Sequence, residues 1–567
     1  MRLSLRLIPL FAVALLPPVT AMAEEPAPAR LLVLVYFDQF RGDYLDRWKA
    51  EFGEGGFRRI TADGAWFANC HYPYAYTVTG AGHASVATGF QPADHGIVGN
   101  DWYDRAAGKS VNCVGADRYE QVPKRTQEGA DEDEKKGAKG GVSPDRLLKP
   151  TIADALKAGT GGKAKVIALS LKNRGAALAG GKRPDAAYWM DGGTGAFVTS
   201  TYYREQVHPW VADFNRLKSA EQWRGKTWDR FRTDLDYAKL SGPDDVSGEG
   251  RGAAGQGRVF PHPFEPTDPK AKPAYLNAVY TSPFGNELLL DLAEKAIAAE
   301  NLGADEVPDL LSLSFSSNDA VGHAWGPDSQ EVLDVTLRSD RVMKRLLDVL
   351  DSKVGKGKYL LVMTADHGIC PLPEVSKKQG REAARVQPAT AAKVEAFLAE
   401  TFGKRAAKWV EAVAGPWVYL NAAALKAAGV KSAAVEDALA EWLAKQAGVE
   451  AAYTRTALTK GIPETDATGR MVARSFRPER CGDVYVLLEP YHLPSTVLGT
   501  GTTHGSPWEY DTHVPLVVYG PGVVAGVRKD RASPLAAAAI LSNAAGVPSP
   551  SVGSTPVPEG LFGAERK

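Results

Sequence analysis

Short, uninterrupted apolar runs recur along this chain. They read as buried strands at Leu31–Phe37, Lys165–Ser170, Leu310–Phe315, Tyr359–Thr364, Val484–Glu489 and Pro515–Gly520. Continuous rather than alternating hydrophobicity suits a parallel sheet covered on both faces. Between them lie stretches with apolar residues at helical spacing, notably Asn286–Glu300 and Leu333–Lys353. Strand–helix alternation predicts an α/β fold: a doubly wound, mostly parallel sheet with helices on both faces.

Three stretches break that rhythm and read as insertions. Thr126–Gly141 and Ser241–Arg258 are charged and Gly-rich, the composition of solvated loops. From about 373 to 476 the chain turns Ala- and Lys-rich and helical, with one strand-like piece at Gly415–Asn421. This predicts a small inserted subdomain within a catalytic domain spanning 24–567. The N-terminus differs again. Arg2 and Arg6 precede a short apolar core, Leu7–Leu16, and Ala21-Met22-Ala23 has the small-x-small form of a cleavage site. That run is too short to cross a bilayer, so residues 1–23 read as a signal peptide and the mature protein as periplasmic or secreted.

Charge narrows the partners. Lys plus Arg and Asp plus Glu both total 67. A neutral chain has no broad field for nucleic acid or anionic lipid, so neither partner is expected, and any anion must be bound locally. No later stretch predicts a membrane span. The four cysteines, Cys70, Cys113, Cys370 and Cys481, in an exported chain predict disulfides, with Cys70–Cys113 and Cys370–Cys481 the expected pairing because each stays within one half of the chain. Their spacing does not form a thiolate zinc site.

The candidate chemistry collects where strands end. Asp38 follows the first strand; Asp319 and His323 follow the run at Leu310; Asp366 and His367 follow Tyr359–Thr364; His504 precedes Pro515. In open parallel sheets ligands bind at the carboxyl ends of strands, so these distant residues can converge. Each alone is an ordinary turn or cap residue. Together, three aspartates and three histidines suit divalent zinc, and six ligands suit two ions better than one tetrahedral ion. Two ions about 3.5–4 Å apart stabilise both attacking and leaving oxygens in phosphoryl transfer. The stretch TVTGAGHASVATG, Thr77–Gly89, adds small residues opening a helix. A hydroxyl at that helix start would meet free N–H groups, an anion site, although a helix-capping Thr reads the same way.

These residues occur within a longer set of blocks: VYFDQFRGDYLDRW (Val35–Trp48), TVTGAGHASVATG, HGIVGNDWYD (His95–Asp104), SLKNRGAALAGGKRPDAAYWMD (Ser170–Asp191), SNDAVGHAWGPDS (Ser317–Ser329), TADHG (Thr364–Gly368) and HGSPWEYDTHVPL (His504–Leu516). In that order they resemble the alkaline phosphatase superfamily, and more narrowly the threonine-nucleophile, phosphate-irrepressible alkaline phosphatases of bacteria. The resemblance implies an exported zinc-dependent phosphomonoesterase that forms a covalent phosphothreonine at Thr79. It implies one zinc held by Asp319, His323 and His504, and another by Asp38, Asp366, His367 and Thr79. It implies that Asn100, Lys172 and Arg174 bind phosphoryl oxygens. A Lys and a bidentate Arg match a dianionic monoester better than a diester, which carries less charge and a second ester group. The neighbouring reading is a nucleotide pyrophosphatase/phosphodiesterase of the same superfamily. A sulfatase does not fit, because CHYPYA (Cys70–Ala75) is not C-x-P-x-R. A remote reading is a non-catalytic phosphate-binding relative. His83 reads as supporting the site or as helix packing, and His513 as orienting a group near His504 or as core. Trp102, Tyr103 and Trp325 are weaker candidates for its lining.

Overall fold

The centre of the molecule is a ten-stranded sheet. A computed structural model describes residues 29–124, 141–264, 272–552 and 554–563. The expected leader, and the expected Thr126–Gly141 loop except its last residue, lie outside the described residues. The strand order is Gly526–Arg528, Ala65–Phe67, Leu516–Tyr519, Tyr359–Thr364, Leu31–Phe37, Asp309–Phe315, Val166–Ser170, Ala186–Met190, Phe197–Ser200 and Gln121–Val122. The middle five, from Tyr359–Thr364 to Ala186–Met190, run parallel. Every residue of Leu31–Phe37, Asp309–Phe315 and Tyr359–Thr364 is buried, which is why these strands carry no polar alternation. Leu31 pairs with both Asp309 and Tyr359, so three strands end level with one another.

Two expectations about strands change. Leu516–Tyr519 joins the sheet but runs antiparallel to Tyr359–Thr364. Val484–Leu488 is not in the main sheet at all. It is an inner strand of a four-stranded antiparallel sheet, between Trp417–Leu420 and Val449–Thr454, with Val410–Ala414 at the edge. Its side chains alternate between two cores. Val484 and Val486 face the cluster with Val418, Leu420, Leu398 and Leu439 from the inserted helices Ala391–Phe402 and Ser432–Leu443. Tyr485 and Leu487 join Trp417, Tyr419 and Trp102 on the other side. Both faces are apolar, so the run has the hydrophobic pattern of a parallel core strand.

Helix Pro283–Glu300 covers the first expected segment; the second is covered by helix Gln330–Leu350 and the π-helical turn Asp351–Gly355 that continues it. The first begins with Pro at its first turn and stops at Asn301 in the left-handed conformation; Ser329 caps the second by accepting from Val332 N. Ser241–Arg258, expected as a solvated loop, is instead partly packed. Gln256 is buried and its Nε2 donates to the carbonyls of Ala278 and Thr281, and Trp325 Nε1 donates to Gly257 O.

The expected disulfides do not form. All four cysteines are free and buried. Cys70 packs in the main core, Cys113 and Cys481 in the core beneath the inserted sheet, and Cys370 beside Tyr510. Each expected partner therefore sits in a different packing cluster. Among the described residues no helix is long and apolar enough to cross a membrane.

Candidate active site

Four parallel strands deliver the site from their carboxyl ends. Asp38 follows Phe37. Asp319 and His323 lie four residues apart on helix Ser317–Trp325, which follows Phe315. Lys172 and Arg174 lie at the start of helix Asn173–Gly180, after Ser170. Asp366 and His367 follow Thr364. His504 arrives on the loop before Leu516–Tyr519. Five of the six expected Asp and His ligands form two adjoining groups that share His367: Asp38, Asp366 and His367, and Asp319, His367 and His504, with ligand atoms in each group within 4.8 Å of one another; His323 stands beside the second group, against Asp319.

Short distances join the two groups. His323 Nε2 is 3.2 Å and His504 Nε2 3.7 Å from Asp319 Oδ1. His367 Nε2 is 3.6 Å from Asp38 Oδ1 and 3.5 Å from Asp366 Oδ2. The His367 and His504 rings stack with centroids 3.5 Å apart. The Nδ1 atoms of His323, His367 and His504 lie 2.8, 3.0 and 2.8 Å from the carbonyls of Thr502, Gly368 and Thr77. A carbonyl can only accept, so each ring carries its proton on Nδ1 and presents the Nε2 lone pair to the cluster.

Thr79 is the first residue of helix Thr79–Thr88. The N-cap is Val78, with no side-chain cap, so the Thr79 hydroxyl is not the capping group. Its Oγ1 lies 3.3 Å from His367 Nε2. Small residues let this helix press against Asp366: a Cβ on Gly82 would collide with the Asp366 carbonyl oxygen. Gly80 N donates to Asn100 Oδ1 at 2.7 Å, which orients that amide and leaves its NH2 group to donate elsewhere. Lys172 Nζ sits 2.7 Å from Asp38 Oδ2 and 2.5 Å from Asp319 Oδ2. Arg174 Nε is buried without a hydrogen-bond partner.

The electrostatics follow from crowding buried carboxylates. Burial and the charge of Asp366 push Asp38 well above the usual carboxylate range, against the pull of Lys172. Burial acts the same way on Asp319 and Asp366, but is outweighed. Lys172 and His323 hold Asp319 well below its ordinary value, and His367 and His83 hold Asp366 below. Burial favours a neutral Lys172, yet Asp319 and Asp38 outweigh it and raise its pKa. Burial lowers His367 and, with the neighbouring His367 and His323, lowers His504. Metal binding requires ionised carboxylates and neutral imidazoles; Asp319, Asp366, His367 and His504 shift toward those forms, whereas Asp38 and, through Asp319 and against its burial, His323 shift away from them.

Two further residues organise the site. Gln39 N donates to Asp366 Oδ1 at 3.1 Å, while its Nε2 donates to Asp319 Oδ1 at 2.7 Å, so one residue ties both groups together. It adopts φ +65 to do so. Its place directly after Asp38 is the signal sequence reading passed over. His83 Nδ1 is 3.0 Å from Thr79 O and 3.1 Å from Asp366 Oδ2, and its Nε2 is 2.8 Å from Ser314 Oγ, so it braces the helix against the sheet. Other aromatic candidates lie elsewhere. His513 stacks on His71 and meets Ala68 O; Trp325 is buried against Trp228 and His262; Trp102 packs under Arg480; Tyr103 packs on Tyr419.

The donor set fits divalent metal. Asp38 Oδ1 and Oδ2 and Asp366 Oδ2 are buried and accept no well-formed hydrogen bond, with His367 Nε2 beside them, the Nε2 atoms of His323 and His504 beside Asp319, and the Lys172 ammonium supplying positive charge. Oxygen and imidazole ligands in that mixture suit zinc.

Residues 32–506 match the family model described as type I phosphodiesterase / nucleotide pyrophosphatase. The chain is 33% identical over 508 residues to alkaline phosphatase PhoV of Synechococcus elongatus, covering 88% of this chain and 87% of the relative. It is 34% identical over 502 residues to alkaline phosphatase PafA of Elizabethkingia meningoseptica, covering 88% of each. The crystal structure of wild-type PafA matches with a TM-score of 0.86 at 32% identity, covering 95% of this chain and 100% of that one.

Proposed function

The chain belongs to the type I phosphodiesterase / nucleotide pyrophosphatase family, within the alkaline phosphatase superfamily, and on that premise we propose that it is an alkaline phosphatase, releasing inorganic phosphate from monoesters. The observation that carries the reading is Thr79 Oγ1, at a helix start, within 3.3 Å of the imidazole shared by two carboxylate–histidine groups. Asp319, His323 and His504 would hold one zinc ion, and Asp38, Asp366, His367 and Thr79 Oγ1 the other. Bound there, the ions supply Lewis-acid charge that lowers the hydroxyl pKa and offsets charge on the leaving oxygen.

The chain's own residues do the rest. Thr79 Oγ1, losing its proton, attacks phosphorus in line. The P–O bond to the alcohol breaks as the Oγ1–P bond forms, giving a phosphothreonine and the free alcohol. Water then attacks phosphorus from the opposite side, releasing phosphate and restoring the hydroxyl. The Thr79 N–H at the start of helix Thr79–Thr88 and the Asn100 NH2, whose Oδ1 is held by Gly80 N, would donate to phosphoryl oxygens. Lys172 and Arg174 add two positive charges for the remaining oxygens, which favours a dianionic monoester over a monoanionic diester. The N-terminal leader pattern supports export to the periplasm or beyond. Metal content measured beside hydrolysis of aryl monoesters and diesters tests this reading. Zinc near two per chain with monoester preference is expected; a clear diester preference contradicts it.

A further inference from the structure

A cleft of about 570 Å³ opens from the site toward the inserted sheet. We propose that it holds the leaving alcohol of the substrate and selects uncharged aromatic alcohols; this rests on the phosphomonoesterase reading above. The cleft does not meet the site evenly. His323, His504 and Asn100 line it, whereas Thr79, Asp38, Asp366 and His367 do not. In-line displacement puts nucleophile and leaving oxygen on opposite sides of phosphorus. With Thr79 among Asp38, Asp366 and His367, the leaving oxygen falls beside His323 and His504, at the mouth of the cleft.

The walls define the chemistry. Tyr76 and Trp508 come from the main body; Val413, Gly415, Pro416 and Leu488 come from the inserted sheet. The two parts meet closely: a Cβ on Gly415 would lie 2.7 Å from Tyr76 Oη, and Trp508 Nε1 donates to Leu488 O at 3.1 Å. Among the described residues lining the cleft there is no Lys or Arg. Its carboxylate, Asp511, is engaged by its own loop, accepting at Oδ2 from Gly505 N, Ser506 N and Ser506 Oγ. A leaving group bearing a second phosphate or a carboxylate would be desolvated there without a cation to pair with it. A flat ring would bury apolar surface against Tyr76 and Trp508. The volume lies in the range of small-molecule pockets.

The test compares kcat/KM for phenyl, 4-carboxyphenyl and methyl phosphates in wild type, Trp508→Ala and Val413→Lys. Wild type is expected to favour phenyl over 4-carboxyphenyl phosphate by at least about five-fold, and Val413→Lys to narrow or invert that ratio. Trp508→Ala is expected to lose about 10-fold more on phenyl than on methyl phosphate. Parallel changes on all three esters in both variants overturn the proposal. Should Trp508→Ala fail to fold, Val413→Lys decides alone, since Val413 is 37% exposed and tolerates a polar replacement. Failure of wild type to hydrolyse any of the three esters defeats the phosphomonoesterase reading itself.

Discussion

Replacing Gly82 with Ala adds one methyl group at the closest approach between the Thr79 helix and Asp366. The new Cβ would lie 2.7 Å from Asp366 Cβ and 2.8 Å from its carbonyl carbon, and closer still to the carbonyl oxygen. Carbon atoms rest at about 3.5–4.0 Å, so helix and loop must part by about 1 Å. The contact is with backbone, so no flexible side chain can absorb the shift. Overpacking of this kind costs about 1–3 kcal/mol of stability, which a large domain survives. The same shift also costs catalysis, because the helix carries Thr79 and the loop carries Asp366 and His367. A misplacement of about 1 Å costs on the order of 100-fold in rate. Steady-state hydrolysis of an aryl phosphate, with thermal melting and zinc content measured on the same sample, separates the two effects. We expect a folded variant with kcat/KM reduced about 100-fold. A folded Gly82→Ala enzyme of wild-type activity would refute the claim that this packing sets the nucleophile's position.

Gln39→Ala removes the amide that donates to Asp319 while leaving the backbone bond to Asp366; zinc affinity from chelator competition should weaken about 10–100-fold, and unchanged affinity contradicts the bridging role. Glu249, 1% exposed, is pushed by burial and its acidic neighbours up to about 9 from 4.5. Its folded pKa lies above its unfolded one, so the folded state binds the extra proton and stability falls as pH rises between those values. Glu249→Gln should therefore shrink the loss of denaturation midpoint between about pH 6 and 9; an unaltered loss shows that Glu249 is not its source. Thiol titration of the denatured, unreduced mature chain should find four free cysteines; none would restore the disulfides that export implies.

Most of the candidate site is legible without coordinates, because parallel strands advertise themselves as apolar runs and their carboxyl ends are where Asp38, Lys172, Asp319 and Asp366 stand. What stays hidden has physical causes. Val484–Leu488 is apolar on both faces whichever sheet it joins, so hydrophobicity cannot name its partner strands. Gln39 has no ligand chemistry of its own; its role lies in a left-handed backbone turn that aims one residue at two carboxylates. Trp325 sits beside His323 in sequence but on the buried face of the same helix, where it packs on Trp228 rather than toward substrate. The cysteines followed the expectation of compartment, and the packing separates them.

The central claim is that Thr79 carries the phosphoryl group. Quenching the enzyme in acid during aryl phosphate turnover, then mapping peptides by mass spectrometry, tests it most directly. We expect a phosphoryl increment on Thr79, absent in Thr79→Ala, together with loss of turnover in that variant. Undiminished turnover by Thr79→Ala, or phosphate trapped on a different residue, would contradict it.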